Sequence, residues 1–216
     1  EVVGGELDDD LNVYLYCKNE DGELVNTGIS IGETTSATSF YYSEENRWAT
    51  ESVIDFNDRS GKSFIEMIMN HTPSLPEYMD KARNFHPYDF KTTNGTDHVI
   101  SKEPQYMYRG MQIGIIGGDK PLISSGRDIG NIAAGFVAGS NGLPWGVARL
   151  GFDGYQSLTH LKFMSEGIST RNAEMFGWRL GYFGTSSDRQ NMKLSYSIGM
   201  GVSKSVLYLY NMIKSK

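Results

Sequence analysis

The sequence predicts an α+β fold, with a β-rich segment over residues 1–60 and a compact, glycine-rich, mainly helical body with a few strands over residues 61–216. Three observations carry that expectation. Aromatic and β-branched residues flank a turn signal near the N-terminus. Apolar residues recur at helical spacing from residue 63 onward. The charge also changes sign along the chain. Residues 1–60 hold 14 acids and three bases (Lys18, Arg47 and Arg59), a charge of −11, whereas residues 61–216 hold 12 acids and 17 bases, a charge of +5. Such asymmetry within one chain hints at two jobs.

Each element has its own signal. Leu11, Val13, Tyr14, Leu15 and Tyr16 read as a strand, Glu20-Asp21-Gly22-Glu23 as a turn, and Leu24-Val25 with Ile29-Ser30-Ile31 as the returning strand. A Ser/Thr stretch over 34–39 leads into Phe40-Tyr41-Tyr42, which suits a strand or a docking segment. Phe64, Ile65, Ile68 and Met69 share one face of a short helix over 63–70, stopped by Pro73. A second helix runs over 75–84, with Pro76 tolerated in its first turn because the amide hydrogen it lacks has no helical partner there. Residues 85–109 read as loop and strand. Residues 110–154 hold 12 of the 25 glycines, and helices are expected over 127–139 and 144–156. A third follows over 171–181, capped by Ser169-Thr170. Residues 194–213 read as a strand followed by a helix.

Glycine inside a helix costs up to ~1 kcal/mol relative to alanine, so glycines kept there point to close backbone packing. Gly126/Gly130, Gly135/Gly139 and Gly142/Gly146 have the spacing of membrane helix pairs. Arg127, Asp128, Asn131, Arg149 and Asp153 interrupt the stretch, which favours a close-packed pair outside a membrane. No apolar run approaches the ~20 residues that span a bilayer. The chain begins at Glu1 without a basic or apolar leader, and so reads as part of something longer.

The chemistry-bearing residues are few. With Cys17 as the sole cysteine, no internal disulfide forms. His71, His86, His98 and His160 lack zinc spacing, so no metal site and no cofactor is predicted, although a carboxylate site for a divalent cation stays open. Gly114, Gly117, Gly118 and Lys120 lack the spacing of a phosphate loop. Asp89-Phe90-Lys91, read as a strand, places a carboxylate beside an ammonium on one face. Arg127 and Asp128 open a helix whose first-turn amides can receive an anion. Asp128 and Asn131, like Asp153 and Gln156, share a helix face by their three-residue spacing. Polar pairs on glycine-rich apolar helices need a partner, either each other or a ligand.

In order, Asp89-Phe90-Lys91, Tyr108-Arg109-Gly110, Arg127-Asp128-Ile129-Gly130-Asn131 with Gly135, and Ala148-Arg149 with Asp153, Tyr155 and Gln156 form a set. That set resembles the C-terminal toxin domains of bacterial polymorphic toxins, most closely type 44. The similar span covers residues 85–183. Tyr88 stands where that family often has Trp, and Ile132 where it often has an aromatic residue. The resemblance implies an effector module at the end of a larger carrier polypeptide. Such a module is secreted into a competing bacterium and neutralised by a cognate immunity protein, and residues 1–60 would then be a junction or docking segment.

Within that expectation the leading function is a hydrolase that cleaves RNA in the target cytoplasm. Asp89 or Asp128 would be the general base. Lys91 and Arg127 would stabilise phosphate charge, and Arg109, Asn131, Asp153 and Gln156 would bind substrate. The +5 body suits a polyanion. One alternative is a periplasmic hydrolase of peptidoglycan or its lipid-linked precursor, with Asp89, Asp153 or Glu166 as acid and base. Another is a non-enzymatic pore-forming or binding module, suggested by the glycine spacing.

Overall fold

The computed structural model describes residues 1–8, 10–43, 45–116, 119–160 and 168–185; the side chains of 155–160, 168, 169 and 185 lie outside that description. The architecture is α+β. The N-terminal hairpin forms as the sequence predicts, from β1 (Asn12–Lys18) and β2 (Leu24–Thr34), antiparallel, with Gly22 at φ +82 in the turn. Gly22 takes the left-handed region at no steric cost, which is what the tight reversal needs. β3 (Tyr41–Tyr42) pairs with β4 (Arg47–Trp48) in a small ribbon, and Tyr41 packs edge-on against Trp48 at 5.2 Å.

β5 (Ile54–Asp55), β6 (Gly110–Ile116) and β7 (Lys120–Ser125) complete the main sheet in the order β1-β2-β7-β6-β5. β2 joins β7 in parallel through Glu33 and Thr34, and β5 joins β6 in parallel through Ile54 and Asp55. The sheet therefore crosses the 60/61 boundary: residues 1–60 supply three of its five strands. β6 and β7, its central hairpin, arise where the sequence shows mainly glycine. Their alternation is weak because Met111, Ile113, Ile116, Leu122 and Ile123 are all buried.

The helices are α1 (Ser60–Asn70), α2 (Leu75–Lys81), α3 (Phe90–Thr93), α4 (Pro104–Met107), α5 (Gly126–Ser140), α6 (Trp145–His160) and α7 (Ile168–Thr185). Ser74 caps α2 by accepting the Glu77 amide, with Pro76 in the first turn. The core lies between sheet and helices, from Phe64, Ile65 and Ile68 of α1, through Ile129, Ile132, Phe136 and Val137 of α5, to Phe176 and Leu180 of α7. Each such side chain contributes ~1.5–3 kcal/mol by leaving water.

Three expectations are corrected. Asp89-Phe90-Lys91 is not a strand: Asp89 precedes the single turn α3, and residues 85–109 contain two short helices. α7 begins at Ile168, so Thr170 sits in its first turn instead of capping it. α2 ends at Lys81, three residues early, because residues 82–89 fold into turns that bring Phe85 back to Asp89. The strand and helix expected over 194–213 lie outside the described residues.

The glycine expectation holds for Gly135/Gly139 and fails for Gly142/Gly146, where an added Cβ would meet nothing within 4 Å. α5 packs against α7 with backbone almost touching backbone. A Cβ on Gly135 would stand 1.9 Å from the Glu174 carbonyl, and one on Gly139 2.4 Å from that of Trp178. Reciprocally, Gly177 faces the Ile132 carbonyl and Gly181 that of Phe136. Only glycine fits this seam. Among the described residues no helix is long and apolar enough to cross a membrane.

Candidate functional site

Two aspartates predicted from sequence are both buried, and their surroundings are opposite. Asp89 closes the turn before α3. Its Oδ1 lies 2.5 Å from Lys91 Nζ. Its Oδ2 accepts from the Phe85 amide at 2.9 Å and from Thr92 Oγ1 at 2.6 Å. The Phe85 bond matters because Phe85 is held at φ +69, a region a bulky side chain rarely enters. The carboxylate is therefore used up in tying residues 85–92 together.

Arg109 serves the same turn. Its guanidinium donates to the carbonyls of Tyr106 (2.8 Å), Lys91 (3.2 Å) and Phe90 (3.4 Å), and to Asn94 Oδ1 (2.6 Å). It lies over the Tyr106 ring at 4.0 Å. Burial lowers its pKa from the usual arginine range. Arg109 thus satisfies carbonyls of the first two residues of α3 and ties that turn to the one before β6. Both terminal nitrogens donate to protein acceptors.

Asp128 sits in the first turn of α5. The sequence reading puts Arg127 or Asp128 near the cap; the cap is Ser125, whose hydroxyl accepts the Asp128 amide at 3.2 Å. The Asp128 residue is fully buried, and neither carboxylate oxygen has a hydrogen-bond partner. Ser39 approaches without completing a bond. Burial pushes the carboxyl pKa up to about 7, against a smaller lowering from Arg127 and from Ser39. An unpartnered buried carboxylate costs several kcal/mol if charged, so it holds a proton over much of the acidic range.

Ser39 and Ser125 bring hydroxyls to the surroundings of Asp128, within a hydroxyl-rich part of the fold. Ser36, Thr38 and Ser39, in the turns between β2 and β3, are buried, as are Ser124 and Ser125. Ser36 Oγ and Thr38 Oγ1 are 2.7 Å apart. The turn touches the body through the Thr35 amide on the Ile123 carbonyl at 3.2 Å, and through longer bonds from Thr35 to Ser124 and from Asn172 Nδ2 to Ser36 Oγ, both at 3.4 Å. Arg127 donates to Thr170 Oγ1 of α7 at 2.6 Å and lies over the Tyr108 ring at 5.8 Å. Sequence reasoning singled out Arg127 and Asp128 but missed Ser36, Ser39, Thr170 and Asn172. The Ser/Thr stretch over 34–39 was visible in composition, yet nothing local linked it to a helix some ninety residues away.

The remaining predicted residues are dispersed. Asn131 is half-buried one turn along α5 from Arg127, on the row that faces α7. Arg149 of α6 bridges Glu174 of α7 (2.6 Å) and Asp153 (2.5 Å). Arg149 and Glu174 are buried, so this triad ties α6 to α7, and Asp153 is paired within it. Gln156 lies on α6, with its side chain outside the description, and Glu166 lies outside the described residues altogether. Among the described residues, no three His, Cys, Asp or Glu side chains gather as a metal-binding group. The arrangement thus offers one titratable acid near neutrality beside one cation.

Comparisons with known protein families, with curated proteins and with solved structures find no match to this chain.

Proposed function

We propose that the chain is a bacterial toxin domain whose body is a hydrolase cleaving RNA, with Asp128 as its general base and Arg127 as its phosphate-binding cation. The observation that carries this reading is the Asp128 carboxyl: wholly buried, unpartnered, beside a guanidinium, with a pKa raised to about 7. General bases work best with a pKa near the operating pH, and a carboxyl strongly raised by burial beside a charged neighbour is a functional-site signal. In the reaction, Asp128 takes the proton of an attacking ribose 2′-hydroxyl, the 2′-oxygen bonds to phosphorus as the bond to the 5′-oxygen breaks, water protonates the departing 5′-oxygen, and Arg127 offsets the charge that develops on the phosphate. Asn131, on the same α5 row as Arg127, positions the substrate.

Asp128 meets substrate only when the 35–39 turn moves aside. That turn is held to the body by the Thr35 amide on the Ile123 carbonyl and by longer hydroxyl and amide bonds, and it is the wall that must open in this reading. Asp89, Lys91 and Arg109 support the scaffold in this reading, because the Asp89 carboxylate is filled by Lys91, Phe85 and Thr92, and the terminal nitrogens of Arg109 by backbone carbonyls and Asn94. The +5 charge of residues 61–216 supports a polyanionic substrate. A carrier upstream and an immunity partner belong to the same proposal.

Expression in a test bacterium, with and without an export signal, checks it. Growth arrest with loss of intact RNA from cytoplasmic expression, abolished by Asp128→Asn, is expected. Killing confined to the exported form would overturn it in favour of a cell-wall substrate. Collapse of membrane potential before any RNA loss would favour a pore.

A further inference from the structure

The β1–β2 hairpin is only half embedded. β2 is bonded to β7 at Glu33 and Thr34 alone, so the ribbon before residue 33 stands off the sheet. β1 is the outermost strand, and among the described residues no strand pairs with its outer edge. Two-stranded ribbons are at best marginal in water without a third strand or a packed face. This one leaves large apolar side chains in solvent: Leu15, Tyr16, Leu24, Val25 and Ile29 are each at least 40% exposed. Cys17 and Val25 pair across one face, and Tyr16 and Leu24 lie on the other, so neither side of the ribbon is covered.

Edge strands of free-standing sheets are normally blunted by lysine, proline or inward charge. From Asn12 to Cys17, β1 has none of these, and its one lysine, Lys18, comes at the very end. The neighbourhood is strongly acidic. Residues 1–34 hold nine acids, including Glu20, Asp21 and Glu23 around the turn, against Lys18 as the one base. Antiparallel edge-to-edge pairing of two copies would bring the acidic turn of one toward the acids that precede β1 in the other, and like charges repel.

We infer that the outer edge of β1 is a docking edge for a partner protein that adds a strand flanked by lysine or arginine. Main-chain hydrogen bonds to the free edge would supply affinity. Leu15, Tyr16 and Val25 would supply apolar contact, and the acidic turn would select a basic partner over a neutral one. This inference does not depend on which bond the body cleaves.

The test uses the full chain and a cyclic hairpin peptide whose free strand alternates Val and Lys, with a Val/Glu peptide as control. Amide shifts in the isotope-labelled chain should be confined to residues 12–18 and 24–30. Binding of the Lys peptide should weaken about tenfold or more between ~50 mM and ~500 mM salt. Leu15→Lys places a repelling charge on the edge, and Glu20→Lys with Asp21→Lys removes the charge match while leaving the strand intact. Each variant should lose binding while keeping the melting temperature and dispersed amide spectrum of the parent. Equal binding of the Glu peptide, shifts elsewhere in the chain, or unaltered binding by Leu15→Lys would overturn the proposal. Concentration-dependent dimerisation through residues 12–18 would overturn it too, by making a second copy the occupant.

Discussion

The turn around Asp89 and the first turn of α5 around Asp128 use the same side chain in opposite ways. Asp89 is buried at 6% exposure and Asp128 at 0%, so burial does not separate them. Partners do. Asp89 receives a lysine, a backbone amide and a threonine hydroxyl, and it holds Phe85 in a conformation the chain would otherwise avoid. Asp128 receives none of these at hydrogen-bonding geometry. The first carboxylate lowers the energy of the fold. The second raises it, and the raised pKa expresses that cost. That cost is what the proposed catalytic role of Asp128 would account for.

The widest separation should come from Asp128→Asn. Activity should fall by roughly 10²–10⁴-fold, the usual contribution of a general base, as read by RNA cleavage in vitro. Stability should move the other way. A carboxyl raised from 3.8 to about 7 is protonated in the folded state while ionised in the unfolded chain between those values. Stability from this group is therefore fully present below about pH 4 and declines as pH rises through 7, by on the order of 4 kcal/mol. Asp128→Asn should flatten that decline, so the variant should melt above the parent at pH 8 and near it at pH 4. A parallel pH profile for both proteins would sink the assignment.

Next in size is Gly177→Ala. Its Cβ would collide with the Ile132 carbonyl at 1.9 Å, and backbone on both sides leaves no side chain to yield. Separation of α7 from α5 should cost about 3 kcal/mol or more, as with other overpacked cores. It should also disturb the Arg127–Thr170 bond while sparing the α3 turn. Amide exchange that rises around residue 127 but not around residue 90 would show this.

Asp89→Ala follows. It leaves the Phe85 amide and Lys91 ammonium without their acceptor and the Thr92 hydroxyl with only the residue-89 carbonyl, a loss of about 2–3 kcal/mol in denaturant melts. Activity per folded molecule should stay within a few-fold of the parent. A loss matching that of Asp128→Asn would break the comparison, because Asp89 would then be doing chemistry as well. The smallest effect is expected from Lys91→Ala. The Lys91 side chain is about one-third exposed, so its pairing is weak and the change should stay within ~1 kcal/mol with little effect on rate.

How much of this was legible beforehand depends on the range of the interaction. The N-terminal hairpin, α1 and α2 follow from turn residues, helical periodicity and proline placement, all of which act within a few residues. The close helix seam was legible from Gly135 and Gly139, but its partner on α7, Gly177 and Gly181, was not, because nothing local says which helices meet. The reading of Asp89 and Lys91 as neighbours survives for a different reason from the one that motivated it. The two side chains meet across the start of a helical turn instead of along one face of a strand.

Composition and pattern by themselves determined the α+β class, the hairpin, the uneven charge and the short set of polar residues on glycine-rich helices. Local propensity and period suffice for those. Only the tertiary structure decided that residues 1–60 share a sheet with the body, through Thr34 against Ile123 and Ile54 against Gly110. The tertiary structure alone also separated Asp89 from Asp128. The physical reason is that a carboxylate's role is set by which donors reach it and how much water is excluded. For Asp128 both are fixed by Ser39, Arg127 and the packing of α5, brought together from distant parts of the chain.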